Sequence, residues 1–130
     1  MGKNLEIVQK SYACGKDGDI PGLVADLAEF GSWTEMEGAP YGGTYIGPRE
    51  VLEQVFDPMG RAWDPFACQP EEFVECGDTV VMTGWYFGKH RRTQKEFRCR
   101  VAHVWKLKDG KIVHFEQFTD TRVIAEAMEE

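Results

Sequence analysis

The stretch HVWKLKDGKIVHFEQFTD, residues 103–120, contains the strongest structural signal in the chain. Asp109-Gly110 in its middle is typical of a two-residue turn between antiparallel strands. Apolar and polar residues alternate on both sides of the turn, which predicts two strands. In the second strand Glu116, Phe118 and Asp120 occupy alternate positions, so a regular strand would place them on one face. We expect that face to line a pocket, because a carboxylate buried without a partner is costly.

The residues before this hairpin predict helices first and then strands. Helical spacing predicts a helix at 4–15 with Asn4 as its cap, a second helix that Asp19 caps and Gly31 closes, and a third that begins at GPREVLEQVF (47–56) and is limited by Pro58. Strands are predicted at 32–36, 71–76, 79–88, 95–107 and 111–119, and a last helix at TRVIAEAM (121–128). This order predicts one α+β domain over residues 1–130, with a curved antiparallel sheet wrapped around N-terminal helices and a conical internal pocket.

Composition and charge exclude several classes of protein. The net charge of −7 argues against nucleic-acid binding, which requires a basic surface. No run approaches the roughly 18 apolar residues of a membrane span, and the N-terminal residues become polar too early for a signal peptide. We therefore expect a cytoplasmic protein without membrane contact. The basic stretch KHRRTQK (89–95) is interpreted as a solvated hairpin tip, with a small anion site as the alternative.

The cysteine and histidine spacings give little support for a metal site. Cysteines occur at positions 14, 68, 76 and 99, with no two-residue spacing typical of zinc or redox motifs. His114 and Glu116 have a same-face spacing, but two ligands are too few for a metal. We expect free, mostly buried thiols, no metal and no cofactor.

Several segments together resemble a known family. They are the helix-GD-helix start, the short strand with Trp33, the loop GGTYIGPREV (42–51) and the closing hairpin. In this order they are similar to the SnoaL-like branch of the NTF2-like superfamily, which includes ketosteroid isomerases and polyketide cyclases. The resemblance covers nearly the whole chain. It implies the NTF2-like (cystatin-like) cone and either cofactor-free acid/base chemistry of the isomerase, cyclase or hydratase type, or a non-catalytic binding or association module.

The resemblance also implies three catalytic candidates. Glu35 corresponds to the proton-shuttling carboxylate of the isomerases, His103 to their oxygen-binding acid, and Asp120 to the acid/base of the cyclases. Each has a structural alternative: Glu35 as a solvated strand end, His103 as a core histidine, and Asp120 as the cap of the last helix. Glu116 could line the pocket or hold His103.

The ligand and the assembly are predicted from the aromatic residues and from the longest strand. We expect a small, largely apolar, carbonyl-bearing molecule to contact the following side chains: Tyr12, Trp33, Tyr45, Trp63, Trp85, Glu116 and Phe118. The alternative is that these aromatic residues belong to the core. If His103 points inward, Arg98 and Arg100 point outward, and such a face suits a homodimer formed sheet against sheet.

Overall fold

The computed structural model describes residues 2–130. Its helices are α1 (Lys3–Lys16), α2 (Ile20–Leu23), α3 (Gly47–Val51), α4 (Asp57–Ala62) and α5 (Thr121–Ala127), and a π-helical turn at Leu52–Phe56 joins α3 to α4. Its strands are β1 (Leu27–Glu35), β2 (Gly43–Ile46), β3 (Trp63–Cys76), β4 (Thr79–His90), β5 (Glu96–Lys108) and β6 (Lys111–Thr119).

The strands form one curved, open sheet in the order β2-β1-β6-β5-β4-β3. Every neighbouring pair is antiparallel except β1 with β6, which run parallel. The α+β prediction is confirmed, and the one parallel pair is an addition to it. The turn between β5 and β6 is the predicted one: Asp109 and Gly110 have φ of 51° and 78°, the left-handed conformation that a type I′ turn requires.

The alternation of β5 fixes which side of the sheet is inside. Cys99, Val101 and His103 are buried, while Arg98 and Arg100, at the alternate positions, are exposed, as predicted. We call the buried side the inner face and the opposite side the outer face. The inner face packs against α1, α5 and the helical segment 47–62, so the core lies between the sheet and the helices.

An extra residue in β6 corrects the predicted faces of that strand. Leu107 of β5 pairs with Ile112, but the preceding Lys106 pairs with His114, so Val113 has no partner and forms a β-bulge. Ile112 therefore points inward, whereas Glu116 and Phe118 are on the outer face. The prediction that these residues share one inner face is wrong, because a bulge shifts the two-residue period by one position.

Two predicted helix boundaries are also wrong. Helix α1 begins at Lys3 and follows Gly2, so Asn4 is inside the helix and is not its cap. Asp19 caps α2 as predicted, accepting from the backbone N–H of Gly22, but α2 ends at Leu23 because pairing of β1 with β6 starts at Leu27. Gly31 lies in β1, where a Cβ atom would meet the Ile112 carbonyl oxygen at 2.9 Å.

Pro58 does not end the third helix. It lies in α4 directly after the π-helical turn, whose last hydrogen bond runs from the Asp57 N–H to the Leu52 carbonyl, and the helical path continues through it. The chain stays helical from Gly47 to Ala62 with the π-helical turn in between. This long segment covers the inner face near β1.

Cys76 and most of the basic hairpin tip lie at the surface. All four cysteines are free, but Cys76 is exposed. Arg92 of the basic hairpin tip contacts Glu130 and the Met128 carbonyl, so the tip binds the C-terminal segment. Among residues 2–130, no helix is both long enough and apolar enough to cross a membrane.

Candidate functional site

Glu35 is the buried carboxyl group of the inner face. It is the last residue of β1, it is only 4% exposed, and it accepts hydrogen bonds from Trp33 Nε1 at 2.9 Å and Gln117 Nε2 at 3.0 Å. Burial raises the pKa of Glu35 from its ordinary 4.5 to about 7, and the two hydrogen bonds oppose that rise. Its protonation therefore changes near neutral pH.

Gln117 connects Glu35 to the centre of the sheet. Its Oε1 accepts the backbone N–H of Met36 at 3.1 Å, which fixes the orientation of the side-chain amide because a backbone N–H can only donate. The amide nitrogen then donates one hydrogen to Glu35 and the other to the hydroxyl of Tyr86, at 2.8 Å. Both hydrogens of the amide are used.

His103 lies between two tyrosines. Its Nε2 is 2.6 Å from the Tyr86 hydroxyl, and its Nδ1 is 2.6 Å from the Tyr12 hydroxyl. Trp105 Nε1 donates to the same Tyr12 hydroxyl at 2.9 Å. Burial lowers the pKa of His103 to about 3, so the ring is neutral at ordinary pH.

We call the resulting chain of hydrogen bonds the inner network. Its members, in order, are Trp105, Tyr12, His103, Tyr86, Gln117, Glu35 and Trp33. Burial also raises the pKa of Tyr12 and of Tyr86 well above the usual value, so both phenols stay protonated. In the described part of the chain, every buried side-chain nitrogen or oxygen has a hydrogen-bond partner.

An aromatic frame surrounds the inner network. Trp33 stacks on Phe115 with ring centres 3.8 Å apart, and it meets Trp105 edge-on at 5.7 Å. Tyr12 meets Phe73 and Trp105 edge-on, each at 5.6 Å. The frame keeps water away from Glu35 and His103, which is the physical cause of both pKa shifts. A titrating carboxyl group beside neutral hydrogen-bond donors can transfer a proton to or from a bound molecule.

A family model described as a SnoaL-like domain matches residues 8–115. The chain belongs to this SnoaL-like family. No curated protein gives a match.

Solved structures agree with the family and show the NTF2-like fold. An NTF2-like protein from Burkholderia thailandensis is 45% identical over 100% of both chains, with a TM-score of 0.96. An NTF2-like protein of unknown function from Burkholderia pseudomallei is 27% identical, also over 100% of both chains, with a TM-score of 0.92. TerC, co-crystallized with polyporic acid, is 28% identical over 98% of this chain and 99% of its own, with a TM-score of 0.89.

Of the three catalytic candidates in this SnoaL-like domain, two belong to the inner network. Glu35 and His103 are both buried and are linked through Gln117 and Tyr86. Asp120 is exposed and accepts the backbone N–H of Val123 at 3.2 Å, so it caps α5. Asp120 therefore lies outside the inner network, and its structural alternative, the cap of the last helix, is observed.

Three of the expected ligand contacts are on the outer face. Trp85 donates to Glu71 and lies under the guanidinium of Arg98, whose Cζ is 3.7 Å from the ring centre. Glu116 lies 3.4 Å from His114 and does not hold His103. Phe118 is 41% exposed. The bulge at Val113 explains the last two, and the alternation of β4, in which Tyr86 is buried, explains Trp85.

The other four expected contacts are on the inner side. Tyr12 and Trp33 are members of the inner network, and Trp63 is buried and donates to the Tyr41 hydroxyl at 3.2 Å. Tyr45 packs against the core and donates to the Tyr41 carbonyl at 2.7 Å. Burial raises the pKa of Tyr41 and Tyr45, and the charge of Glu35 adds to both shifts, so these two tyrosines are on the Glu35 side of the core.

Sequence analysis missed Tyr86 and Gln117. Tyr86 could have been found from the register of the β4–β5 hairpin, which pairs it with the buried Cys99. Gln117 could not have been found from the sequence, because the inward direction of its side chain depends on the β-bulge at Val113.

Two open clefts lie outside the inner network. One of about 750 Å³ is lined by residues of β2 and α3, including Tyr45 and Arg49, and the other of about 400 Å³ lies beside Ile20 and Phe56. Glu35 and His103 line neither cleft. The candidate site is the inner network, because the buried titratable groups Glu35 and His103 are there. A ligand must displace inner side chains to reach them.

Proposed function

We propose that this SnoaL-like domain binds a small, largely apolar, oxygen-bearing molecule against the inner face and transfers a proton through Glu35 without a cofactor. The observation that carries this proposal is the buried carboxyl group of Glu35, whose pKa is raised to about 7. An acid or base is most effective when its pKa is near the working pH. Both forms of Glu35 are therefore populated at neutral pH.

The chemistry follows from the groups around Glu35. Its carboxylate takes a proton from a carbon next to a ligand carbonyl, and the carbonyl becomes an enolate. A neutral tyrosine hydroxyl of the inner network stabilises the enolate oxygen by donating a hydrogen bond. Glu35 then returns the proton at another carbon or at the oxygen. Isomerisation, cyclisation and dehydration all contain such a step.

The ligand class is supported by the aromatic frame and by one relative. Flat apolar rings pack well against tryptophan and phenylalanine side chains, and Trp33, Phe115 and Trp105 form such a surface. TerC is co-crystallized with polyporic acid, a hydroxyquinone that carries two phenyl rings. We therefore propose a flat aromatic ketone, quinone or phenol as the ligand.

A non-catalytic binding module is the second candidate, and one observation favours it. Asp120, which corresponds to the acid/base of the cyclases, is a helix cap. If the inner network only anchors a ligand oxygen, binding occurs and turnover does not.

The first experiment measures binding with polyporic acid as the probe. Titration should quench tryptophan fluorescence, because Trp33 and Trp105 frame the site. Glu35→Gln should alter the affinity, whereas Glu116→Gln, the matched change on the outer face, should leave it unchanged. The absence of saturable quenching with polyporic acid and with a panel of flat aromatic ketones would contradict the proposed ligand class.

The second experiment separates the enzyme from the binding module. For each binding ketone that carries a hydrogen on the carbon next to the carbonyl, exchange of that hydrogen for deuterium can be followed by NMR. A catalytic Glu35 predicts that Glu35→Gln slows exchange by about two to four orders of magnitude. Exchange at the buffer rate with wild-type protein, despite binding, identifies the non-catalytic module.

The assembly also remains a proposal. We propose a homodimer through the outer face, where Val74 and Phe118 are exposed and Trp85 stacks with Arg98. Sedimentation at micromolar concentration should give a species of about twice 14.8 kDa, and Phe118→Asp should shift it to the monomer. A monomeric wild type would leave the outer face as ordinary surface.

A further inference from the structure

The inner network contains more hydrogens than its central contacts can use. His103 makes two hydrogen bonds, one with each tyrosine hydroxyl. Each hydroxyl carries one hydrogen and a neutral imidazole carries one, so three hydrogens compete for two contacts. A protonated imidazole would add a fourth. One tyrosine hydroxyl must therefore direct its hydrogen away from His103.

The other hydrogen-bond partners of the two tyrosines, Trp105 and Gln117, cannot take that hydrogen. Trp105 Nε1 can only donate, so the Tyr12 oxygen accepts there. The Gln117 amide nitrogen also donates, because its oxygen is engaged by the Met36 backbone N–H. The spare hydrogen is thus available to a bound molecule, and two tautomers of His103 decide which tyrosine carries it.

The charge of Glu35 distinguishes the two tautomers. Glu35 and Tyr86 accept from the same Gln117 nitrogen, at 3.0 and 2.8 Å, whereas Tyr12 lies at the other end of the chain of hydrogen bonds. An ionised carboxylate attracts the positive end of a nearby O–H dipole, so a free hydrogen on Tyr86 is favoured over one on Tyr12. That state requires His103 to hold its hydrogen on Nε2.

We propose that Tyr86 offers its hydroxyl hydrogen to an oxygen of the ligand on the Glu35 side, and that Tyr12 and His103 are positioning residues that enforce this direction. Tyr12 donates to Nδ1 of His103, and Nε2–H of His103 donates to Tyr86. The site then selects an acceptor atom, a carbonyl or phenolate oxygen, next to the group that moves the proton. The ligand part of this inference rests on the proposed function, and the hydrogen arrangement does not.

The hydrogen arrangement is tested without a ligand. Long-range proton–nitrogen correlation spectra of nitrogen-15-labelled protein at about pH 8, where Glu35 is ionised, distinguish the tautomers of a histidine ring. The chain has only three histidines, and His103→Asn assigns the signal. We expect hydrogen on Nε2, and hydrogen on Nδ1 would overturn the proposal. Glu35→Gln should shift the tautomer ratio toward Nδ1–H, and an unchanged ratio would overturn the role given to Glu35.

Donation of the Tyr86 hydroxyl hydrogen to a ligand oxygen is tested with two probes of similar shape, fluorenone, which has a carbonyl oxygen, and fluorene, which has none. Wild-type protein should bind fluorenone about three- to tenfold more tightly, the worth of one neutral hydrogen bond. Tyr86→Phe should abolish this preference and retain fluorene binding. Tyr12→Phe removes the hydroxyl that orients His103, so it should reduce the preference without abolishing it, because the Tyr86 hydroxyl remains.

The opposite pattern, with the preference lost only in Tyr12→Phe, would assign the donor to Tyr12 and overturn the proposal. Equal binding of both probes to wild-type protein would overturn it too. If neither probe binds, the proposed function fails for this class of ligand, while the histidine spectrum still decides the hydrogen arrangement. The spectrum also decides it if Tyr86→Phe does not fold.

Discussion

His103 and His114, on neighbouring strands, each place Nδ1 beside a hydroxyl group, but they differ in burial and in the partner of Nε2. His103 Nδ1 is 2.6 Å from the Tyr12 hydroxyl on the inner face, and His114 Nδ1 is 2.7 Å from the Ser32 hydroxyl on the outer face. The second nitrogen of His103 meets Tyr86 at 2.6 Å, whereas that of His114 meets Glu116 at 3.4 Å. His103 is 4% exposed, and the side chain of His114 is 28% exposed.

The comparison shows that access to water decides how much stability is lost when a polar group loses a hydrogen-bond partner. On the inner face the protein must supply every partner, because an unpaired buried polar group loses its hydrogen bonds to water. On the outer face water replaces any partner that is removed. The following predictions use this difference, from the largest expected effect to the smallest.

The largest effect is expected when the inner histidine is removed. His103→Leu removes the acceptor of the Tyr12 hydroxyl hydrogen and the donor to the Tyr86 hydroxyl oxygen, and each buried hydroxyl that loses such a partner costs about 1–3 kcal/mol. We expect the free energy of unfolding from urea denaturation to fall by about 2–6 kcal/mol in total. His114→Leu is the matched control and should change it by less than about 0.5 kcal/mol. Similar losses in both variants would contradict the comparison.

The next effect is the pH dependence caused by Glu35. The folded protein keeps the Glu35 proton up to about pH 7, whereas a glutamate in the unfolded chain releases it near 4.5. Between these values the folded state holds more protons, so raising the pH lowers the free energy of unfolding, by about 3 kcal/mol in total.

The measurement compares wild-type protein with Glu35→Gln by urea denaturation from about pH 4.5 to about pH 8. The difference between wild type and variant should fall by about 3 kcal/mol over this range. Taking the difference cancels the contribution of His103, which has the opposite sign: its pKa is lowered on folding, so its contribution is lost as the pH falls below 6.5. A constant difference would show that Glu35 is not desolvated.

A smaller effect is expected at Asp120, at the exposed end of the sheet. Asp120→Ala removes the cap of α5 and should cost about 0.5–2 kcal/mol in thermal or urea unfolding. Asp120→Asn should change stability little, because asparagine caps helices about as well as aspartate. Any turnover should be retained in Asp120→Asn. A large loss of turnover without loss of stability would return Asp120 to the catalytic candidates.

The smallest effect is an expected absence of change in the charge of the His103 ring. Because burial lowers the pKa of His103 to about 3, nitrogen-15 NMR spectra from about pH 8 to about pH 4 should show hydrogen on only one of the two ring nitrogens throughout, even where protonation of Glu35 changes the tautomer ratio. Protonation of both ring nitrogens near the ordinary value of 6.5 would show that water reaches the ring and that the inner face is not dry.

The sequence alone determined the parts of this SnoaL-like domain that depend on local physics. The Asp109-Gly110 turn, the two faces of β5 and the caps at Asp19 and Asp120 each follow from residues close together in the chain. The resemblance to the family added Glu35 and His103 as candidates, and both are in the inner network.

Only the tertiary structure decided which residues complete the site. The unpaired Val113 turns Gln117 inward and Glu116 outward, and it is defined by the partners that β6 finds in β5 and β1. The early end of α2 has the same origin, because pairing of β1 with β6 begins at Leu27. Strand pairing joins residues far apart in the chain, so the alternation within a single strand cannot reveal where a bulge shifts it.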